Sequence, residues 1–136
     1  MRETAGCVPR RSIDELLEGV RAKYERVTAE EAHRRVSEDG AVLVDTRSPD
    51  QQNRQGFVLG AEHHPLSTLL WRLDPDCPTS NEKIPLDREV ILICREGYSS
   101  SLAAAQLIRL GFERATDVIG GVEAWKAAGL PISDEP

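Results

Sequence analysis

The sequence has no apolar run approaching the roughly 18–20 residues that a membrane-spanning helix requires. Residues 1–11 lack the apolar stretch of a secretory leader, so nothing marks the chain for export and a cytoplasmic protein is expected. Basic residues are in the minority: 17 Lys and Arg stand against 23 Asp and Glu, a net charge of −6. That balance excludes a dedicated nucleic-acid binder, which would carry a basic face. Cysteine is scarce, with Cys7, Cys77 and Cys94 only. An odd count without an export signal is no disulfide framework, and no Cys-x-x-Cys pair or Cys/His cluster has zinc-finger spacing. Repeats, low-complexity stretches and interdomain linkers are also missing. What is present is 136 residues that are 40% hydrophobic and 29% charged, enough for the packed core of one domain.

Short β-branched runs alternate with stretches of helical period, the pattern of an α/β domain with a largely parallel sheet. Residues 12–24 read as a helix, with Ser12 as N-cap, Glu15 three residues on, and Ile13, Leu16, Leu17 and Val20 on one face. A short first strand is expected at 25–27, and Thr28-Ala-Glu-Glu31 reads as a capping box opening a helix that ends at Asp39-Gly40. Residues 41–44 form an uninterrupted apolar strand of the kind buried on both faces. Residues 48–56 read as a polar loop with one helical turn at most, 57–65 as extended chain, and 67–73 as a brief helix. Pro75, Pro78 and Pro85 mark 74–88 as a long surface connection. Beyond it come a strand at 89–93, a tight turn at 94–99, and a helix at 100–110 stopped by Gly111. A strand at 115–119 and a helix at 122–128, after Gly120-Gly121, complete the chain.

Chemistry concentrates at Cys94-Arg95-Glu96-Gly97-Tyr98-Ser99-Ser100. Ligands of open α/β sheets bind outside the carboxyl ends of the strands. Cys94 directly follows an apolar strand, and a helix starts about six residues later. A chain that curls back over that distance aims backbone N–H groups at one point above a helix N-terminus, an arrangement that favours an anion and hence a thiolate. Gly97 permits positive φ in the turn, while Ser99 and Ser100 offer hydroxyls to cap the helix or to bond an anion. Cys7 in the tail and Cys77 in the Pro-rich connection have no such setting.

The chain resembles the rhodanese family of sulfurtransferases, in particular its single-domain members, over residues 24–132. The resemblance rests on four stretches in order: Val42-Leu-Val-Asp45-Thr-Arg47; Gly60-Ala-Glu-His-His-Pro65; Val90-Ile-Leu-Ile-Cys94-Arg-Glu-Gly97-Tyr-Ser-Ser100; and Gly120-Gly-Val-Glu-Ala-Trp125 through Gly129-Leu-Pro131. It implies a five-stranded, mainly parallel sheet flanked by helices on both faces. The domain would span residues 24–133, preceded by a tail and extra helix over 1–23. It further implies that Cys94 is the nucleophile and persulfide carrier, and that Arg95, Glu96, Gly97, Tyr98, Ser99 and Ser100 form a substrate-binding loop whose amides hold anionic sulfur. Asp45 and Arg47 match the family's Asp-x-Arg and would support the site as an ion pair or by touching substrate. Three departures flank the site. Gln51-Gln52 replaces a common acidic–aromatic pair, Gly56-Phe-Val-Leu-Gly60 lacks the usual His, and His64 stands where an apolar residue is usual.

The implied reaction moves sulfane sulfur from a small donor such as thiosulfate to a thiol or cyanide, or to an acceptor protein, with no cofactor, metal, nucleic acid or membrane involved. His63 and His64 are neighbours on an extended segment and point to opposite faces, which favours a structural role over metal binding. A cysteine phosphatase or arsenate reductase is a second reaction class, but it needs Arg at the sixth position after the cysteine, where this chain has Ser100. A regulatory module presenting a persulfide with little turnover would carry the same loop. Trp125 is expected in the core, Trp71 is a candidate wall of the site's mouth, and Tyr98 is expected to shape access.

Overall fold

A computed structural model describes residues 8–136. Cys7 lies outside the described residues. The elements run α1 (Ile13–Arg21), α2 (Ala29–Glu38), β1 (Val42–Asp45), α3 (Pro49–Gln55), β2 (Phe57–Val58), β3 (Ala61–His63), α4 (Leu69–Leu73), β4 (Val90–Ile93), α5 (Ser99–Leu110), β5 (Ala115–Asp117), α6 (Gly121–Ala127) and β6 (Ile132–Ser133).

Helix starts follow from local chemistry. Ser12 accepts from the Glu15 amide at 3.1 Å and the Glu15 carboxylate accepts from the Ser12 amide at 2.8 Å, a reciprocal box that satisfies two otherwise unpaired donors. At α2 only half of the expected box forms. Thr28 accepts from the Glu31 amide, but the Glu31 carboxylate turns to Arg34 and Arg35, whose hydrogen bonds pull it down to about 2. The segment expected to be a loop is the two-turn helix α3. Ser48 and Gln51 make a full capping box, and Pro49 at the first turn supplies a preset φ.

The central sheet has the order β3-β1-β4-β5, with every pair parallel. Four strands therefore stand where five were expected. The fifth is a single parallel bridge between Val27 and Val118, flanking β5. Thr28 caps α2 immediately after Val27 and stops the ladder on that side, and before it the Glu25 carbonyl accepts from the Thr116 hydroxyl at 2.7 Å rather than from a backbone N–H. A separate antiparallel pair, β2 with β6, closes the C-terminal end over Phe57 and Val58.

The two middle strands are buried on both faces and sort their side chains by period two. Val42, Val44, Val90 and Leu92 pack with Ala103, Ala104 and Leu107 of α5 and with Leu69, Leu73 and Phe112. On the other face, Leu43, Ile91 and Ile93 pack with Ala29 and Ala32 of α2 and Val122 and Trp125 of α6. Trp125 is in the core as expected. Its indole N–H donates to the Pro131 carbonyl at 2.9 Å, and its ring stands edge-on to His33. Helix α1 packs on α5, and Leu17 is its buried residue. Among the described residues no helix is long and apolar enough to cross a membrane.

His64 is buried beside β3, and its Nε2 lies 3.1 Å from the Asn81 amide nitrogen. Burial lowers its proton affinity below the ordinary value of 6.5, with Glu62 opposing the shift and Arg72 and His63 adding to it. A His with a depressed folded value is protonated first in the unfolded chain, so the fold loses stability as pH falls through the window below 6.5. We predict that the urea midpoint drops between about pH 7.5 and about pH 5, and that His64→Gln flattens the drop. Equal slopes in both proteins would refute the assignment.

Candidate active site

Because the sheet is parallel, the carboxyl ends of β1, β4 and β5 lie side by side. Register pairs Asp45 with Ile93 and Leu92 with Asp117, so Asp45, Cys94 and Asp117 gather at one end. There a cavity of about 470 Å³ opens, walled by Cys94, Arg95, Glu96, Tyr98 and Ser99 on one side and by Thr46, Arg47, Leu66 and Ser67 on the other. Cys94 sits at its base, only 6% exposed. The Gly97 amide donates to Cys94 Sγ at 3.2 Å, and the thiol donates to Ser100 Oγ at 3.2 Å.

The loop between Cys94 and Tyr98 is fixed from behind by its carbonyls. Val122 N–H of α6 donates to the Cys94 carbonyl at 2.8 Å, and Glu123 N–H donates to the Arg95 carbonyl at 3.1 Å. The Gly97 carbonyl accepts from Arg21 Nη2 at 2.7 Å and Arg26 Nη2 at 2.9 Å. In a trans peptide the N–H points opposite the C=O. Holding these three carbonyls on the protein side therefore turns the amides of Arg95, Glu96 and Tyr98 the other way. Among the described residues those amides have no protein acceptor. Such convergent donors suit an anion bound next to Sγ.

Two glycines make the approach feasible. Gly121 has φ +57, and a Cβ there would lie 2.3 Å from the Cys94 carbonyl oxygen. Gly97 has φ +87, and its Cβ would lie 2.8 Å from the Gly120 nitrogen. The Gly120-Gly121 pair, read in the sequence as a turn, is thus the point where α6 meets the cysteine loop.

Below Ser100 lies Asp117, fully buried and missed by the sequence reading. Its carboxylate accepts from Ser100 Oγ at 2.7 Å, Ser101 Oγ at 2.9 Å, Tyr24 Oη at 2.6 Å, and both Nε and Nη2 of Arg26 at 3.0 Å. Burial, then the carboxylate it serves, pushes the Tyr24 hydroxyl well above its usual value. The available signal was a polar Thr116-Asp117 pair inside an otherwise apolar strand. Its partners at 24 and 26 lie some ninety residues away and leave no trace of their own.

Asp45 and Arg47 form a buried bidentate pair, with Nη2 to Oδ2 at 2.7 Å and Nε to Oδ1 at 3.0 Å. Arg47 also donates to the Gly56 carbonyl at 2.8 Å and to Gln55 Oε1 at 3.2 Å, while Gln52 donates to Asp45 at 3.1 Å. The guanidinium is thus spent on clamping α3 to the end of β1. Arg47 borders the cavity, and Asp45 stands behind it. Gln52, a departure from the family pattern, is part of this clamp.

Gly97 and Ser100 hold the loop from within, whereas Arg95, Glu96, Tyr98 and Ser99 border the cavity. Arg95, Glu96 and Tyr98 are exposed. Trp71 does not form a wall of the mouth. It is 60% exposed and lies away from the cavity lining, because α4 turns Leu69 and Leu73 inward instead. His63 Nε2 sits 2.7 Å from the Arg47 carbonyl, and among the described residues no group of His, Cys, Asp and Glu is arranged to hold a metal. Cys77 is half-buried, 3.3 Å from the Thr79 hydroxyl, and does not border the cavity.

Comparison with known proteins adds an independent view. The model of the rhodanese-like domain matches residues 28–128, a span that begins after Arg21, Tyr24 and Arg26. The chain is 33% identical over 109 residues to the thiosulfate sulfurtransferase GlpE of Pseudomonas putida, covering 78% of this chain and 88% of that protein. It is 34% identical over 94 residues to a sulfurtransferase of Allochromatium vinosum, covering 69% and 79%. Among solved structures, a Rhodopseudomonas palustris protein of unknown function, described as a possible tyrosine phosphatase, superposes with a TM-score of 0.83 at 27% identity. That match covers 97% of this chain and 98% of that one.

Two substitutions test the architecture of the site. Asp45→Ala leaves the Arg47 guanidinium buried and unpaired, and should cost about 3–5 kcal/mol of unfolding free energy in urea; a loss under about 1 kcal/mol would show that the clamp is dispensable. Gly121→Ala should cost at least about 1–2 kcal/mol from its φ alone, and more from overlap with the Cys94 carbonyl. A variant as stable as the parent would refute the close approach.

Proposed function

The chain belongs to the rhodanese-like family, and from that premise we propose that it is a sulfurtransferase working through a Cys94 persulfide. The observation that carries this reading is the cysteine's position: Sγ at the base of a cavity, beside amides turned outward by the carbonyl bonds behind them. The names of the two bacterial relatives support the reaction class.

In the first half-reaction the Cys94 thiolate attacks the outer sulfur of a donor such as thiosulfate. The Sγ–S bond forms as the S–S bond of the donor breaks, and sulfite leaves with the electron pair. The product is an anionic persulfide, which the amides of Arg95, Glu96 and Tyr98 are placed to stabilise. A thiolate or cyanide then attacks the terminal sulfur and takes it, and Cys94 returns as thiolate. Arg95, exposed at the rim, draws an anionic donor toward an acidic protein, while Glu96 beside it weakens that field. Arg47 does not take this role, since its guanidinium is occupied by Asp45, Gln55 and Gly56.

Hydrolysis of phosphate esters is a poorer reading, whatever the description of the Rhodopseudomonas palustris structure. Ser100 occupies the position where such enzymes place an oxyanion-binding Arg, and it faces Cys94 and Asp117 rather than the cavity.

Thiosulfate treatment should add one sulfur atom to Cys94, seen by mass spectrometry and lost on adding a thiol. Cys94→Ser should abolish both the adduct and turnover. Undiminished transfer by that variant would sink the proposal, and absence of the adduct with every sulfane donor would leave a regulatory module instead.

A further inference from the structure

Helix α1 and the segment after it precede the span matched by the family model, yet they reach the cysteine loop directly. Arg21, the last residue of α1, donates through Nη2 to the Gly97 carbonyl at 2.7 Å and through Nε to Ser101 Oγ at 2.9 Å. Its guanidinium carbon also lies 6.0 Å from the centre of the Tyr98 ring. One side chain thus grips residues 97, 98 and 101. Arg26 adds a second donor to the same carbonyl at 2.9 Å while forking onto Asp117.

We propose that Arg21, seconded by Arg26, is a positioning residue for the sulfur site, and that α1 serves the reaction by carrying it. The inference rests on the reading of Cys94 as the sulfur carrier. Two physical effects follow from the geometry. Two guanidinium donors on one carbonyl, which the Ser101 hydroxyl also approaches at 3.4 Å, fix the Gly97–Tyr98 peptide, so that the Tyr98 N–H faces away from the guanidinium groups. Cations bonded to that carbonyl also polarise the peptide and make its Tyr98 N–H a stronger donor, which favours an anion in the cavity.

The neighbouring charges decide which arginine supplies that polarisation. Arg26 is matched by Asp117, and Tyr24 donates to the same carboxylate. Arg47 is matched by Asp45, and Arg95 and Glu96 oppose each other on the loop. His63 Nε2 lies against the Arg47 carbonyl at 2.7 Å. Arg21 has a carbonyl, a hydroxyl and an aromatic face as its partners, so its charge is left to act on the loop. The platform is defined at both levels: α1 is capped by the Ser12–Glu15 box, buries Leu17 and packs on α5.

The test follows iodoacetamide alkylation at Cys94 against pH in the full chain, read by peptide mass spectrometry so that Cys7 and Cys77 do not contribute. Arg21→Met should displace the profile to higher pH and slow alkylation at pH 7 about threefold, whereas Arg21→Lys, which keeps the charge, should stay near the parent profile. A thermal scan checks folding, and if Arg21→Met fails to fold, Arg21→Gln, which keeps a donor without charge, should show the same displacement. Superimposed profiles for the parent and the uncharged variant, or a Lys variant as displaced as the uncharged one, would overturn the inference. Sulfur loading of the parent chain is scored separately. A parent chain that cannot be loaded refutes the sulfurtransferase reading, and the alkylation profiles still decide the role of Arg21.

Discussion

A peptide can present its N–H to a cavity only if its carbonyl is satisfied on the opposite side. The cysteine loop depends on that constraint, and much of the fold supplies the partners. Helix α6 begins at two glycines so that its first amides can reach the carbonyls of Cys94 and Arg95. The chain before the first bridge supplies Arg21 and Arg26 for the carbonyl of Gly97. The parallel sheet brings these partners together, because it delivers the ends of β1, β4 and β5 to one edge. A helix that looks like an appendage and a Gly-Gly pair that looks like a turn are both parts of the backing of one short loop.

The buried polar groups follow the same logic. Asp45 with Arg47, and Asp117 with Arg26, are ion pairs removed from water, which is costly unless every remaining donor and acceptor is met. Both are met: among the described residues no buried side-chain nitrogen or oxygen lacks a partner. The first pair locks α3 against β1 and shapes one wall of the cavity. The second joins the loop's helix to the N-terminal segment. Each is weak evidence for added stability and good evidence for a defined arrangement.

How legible this was depended on the range of the signal. The α/β class, the strand leading to Cys94, and the strand–cysteine–glycine–helix order were readable because each is local and strongly periodic. The capping box at Ser48 was equally local, but its polar composition masked α3 as a loop. Strand β6 spans two residues, and the fifth strand shrinks to a bridge at Val27, lengths at which periodicity carries no information. Trp71 was placed by proximity in sequence alone, and the inward turn of Leu69 and Leu73 sends it to the surface. Asp117 showed only as part of a polar pair in an apolar strand, and its partners Tyr24 and Arg26 were invisible for a different reason. Hydrogen bonds that span 93 and 91 positions follow from the completed topology, not from any pattern along the chain.

The Ser100 hydroxyl owns one hydrogen and stands between two acceptors. With a protonated thiol, Cys94 donates to the Ser100 oxygen and that hydrogen goes to Asp117. Once the sulfur is an anion, the same hydrogen can swing toward it, and Asp117 keeps Ser101, Tyr24 and Arg26. A change in charge at the sulfur is then absorbed by rotating one O–H bond. That exchange of partners moves no heavy atom.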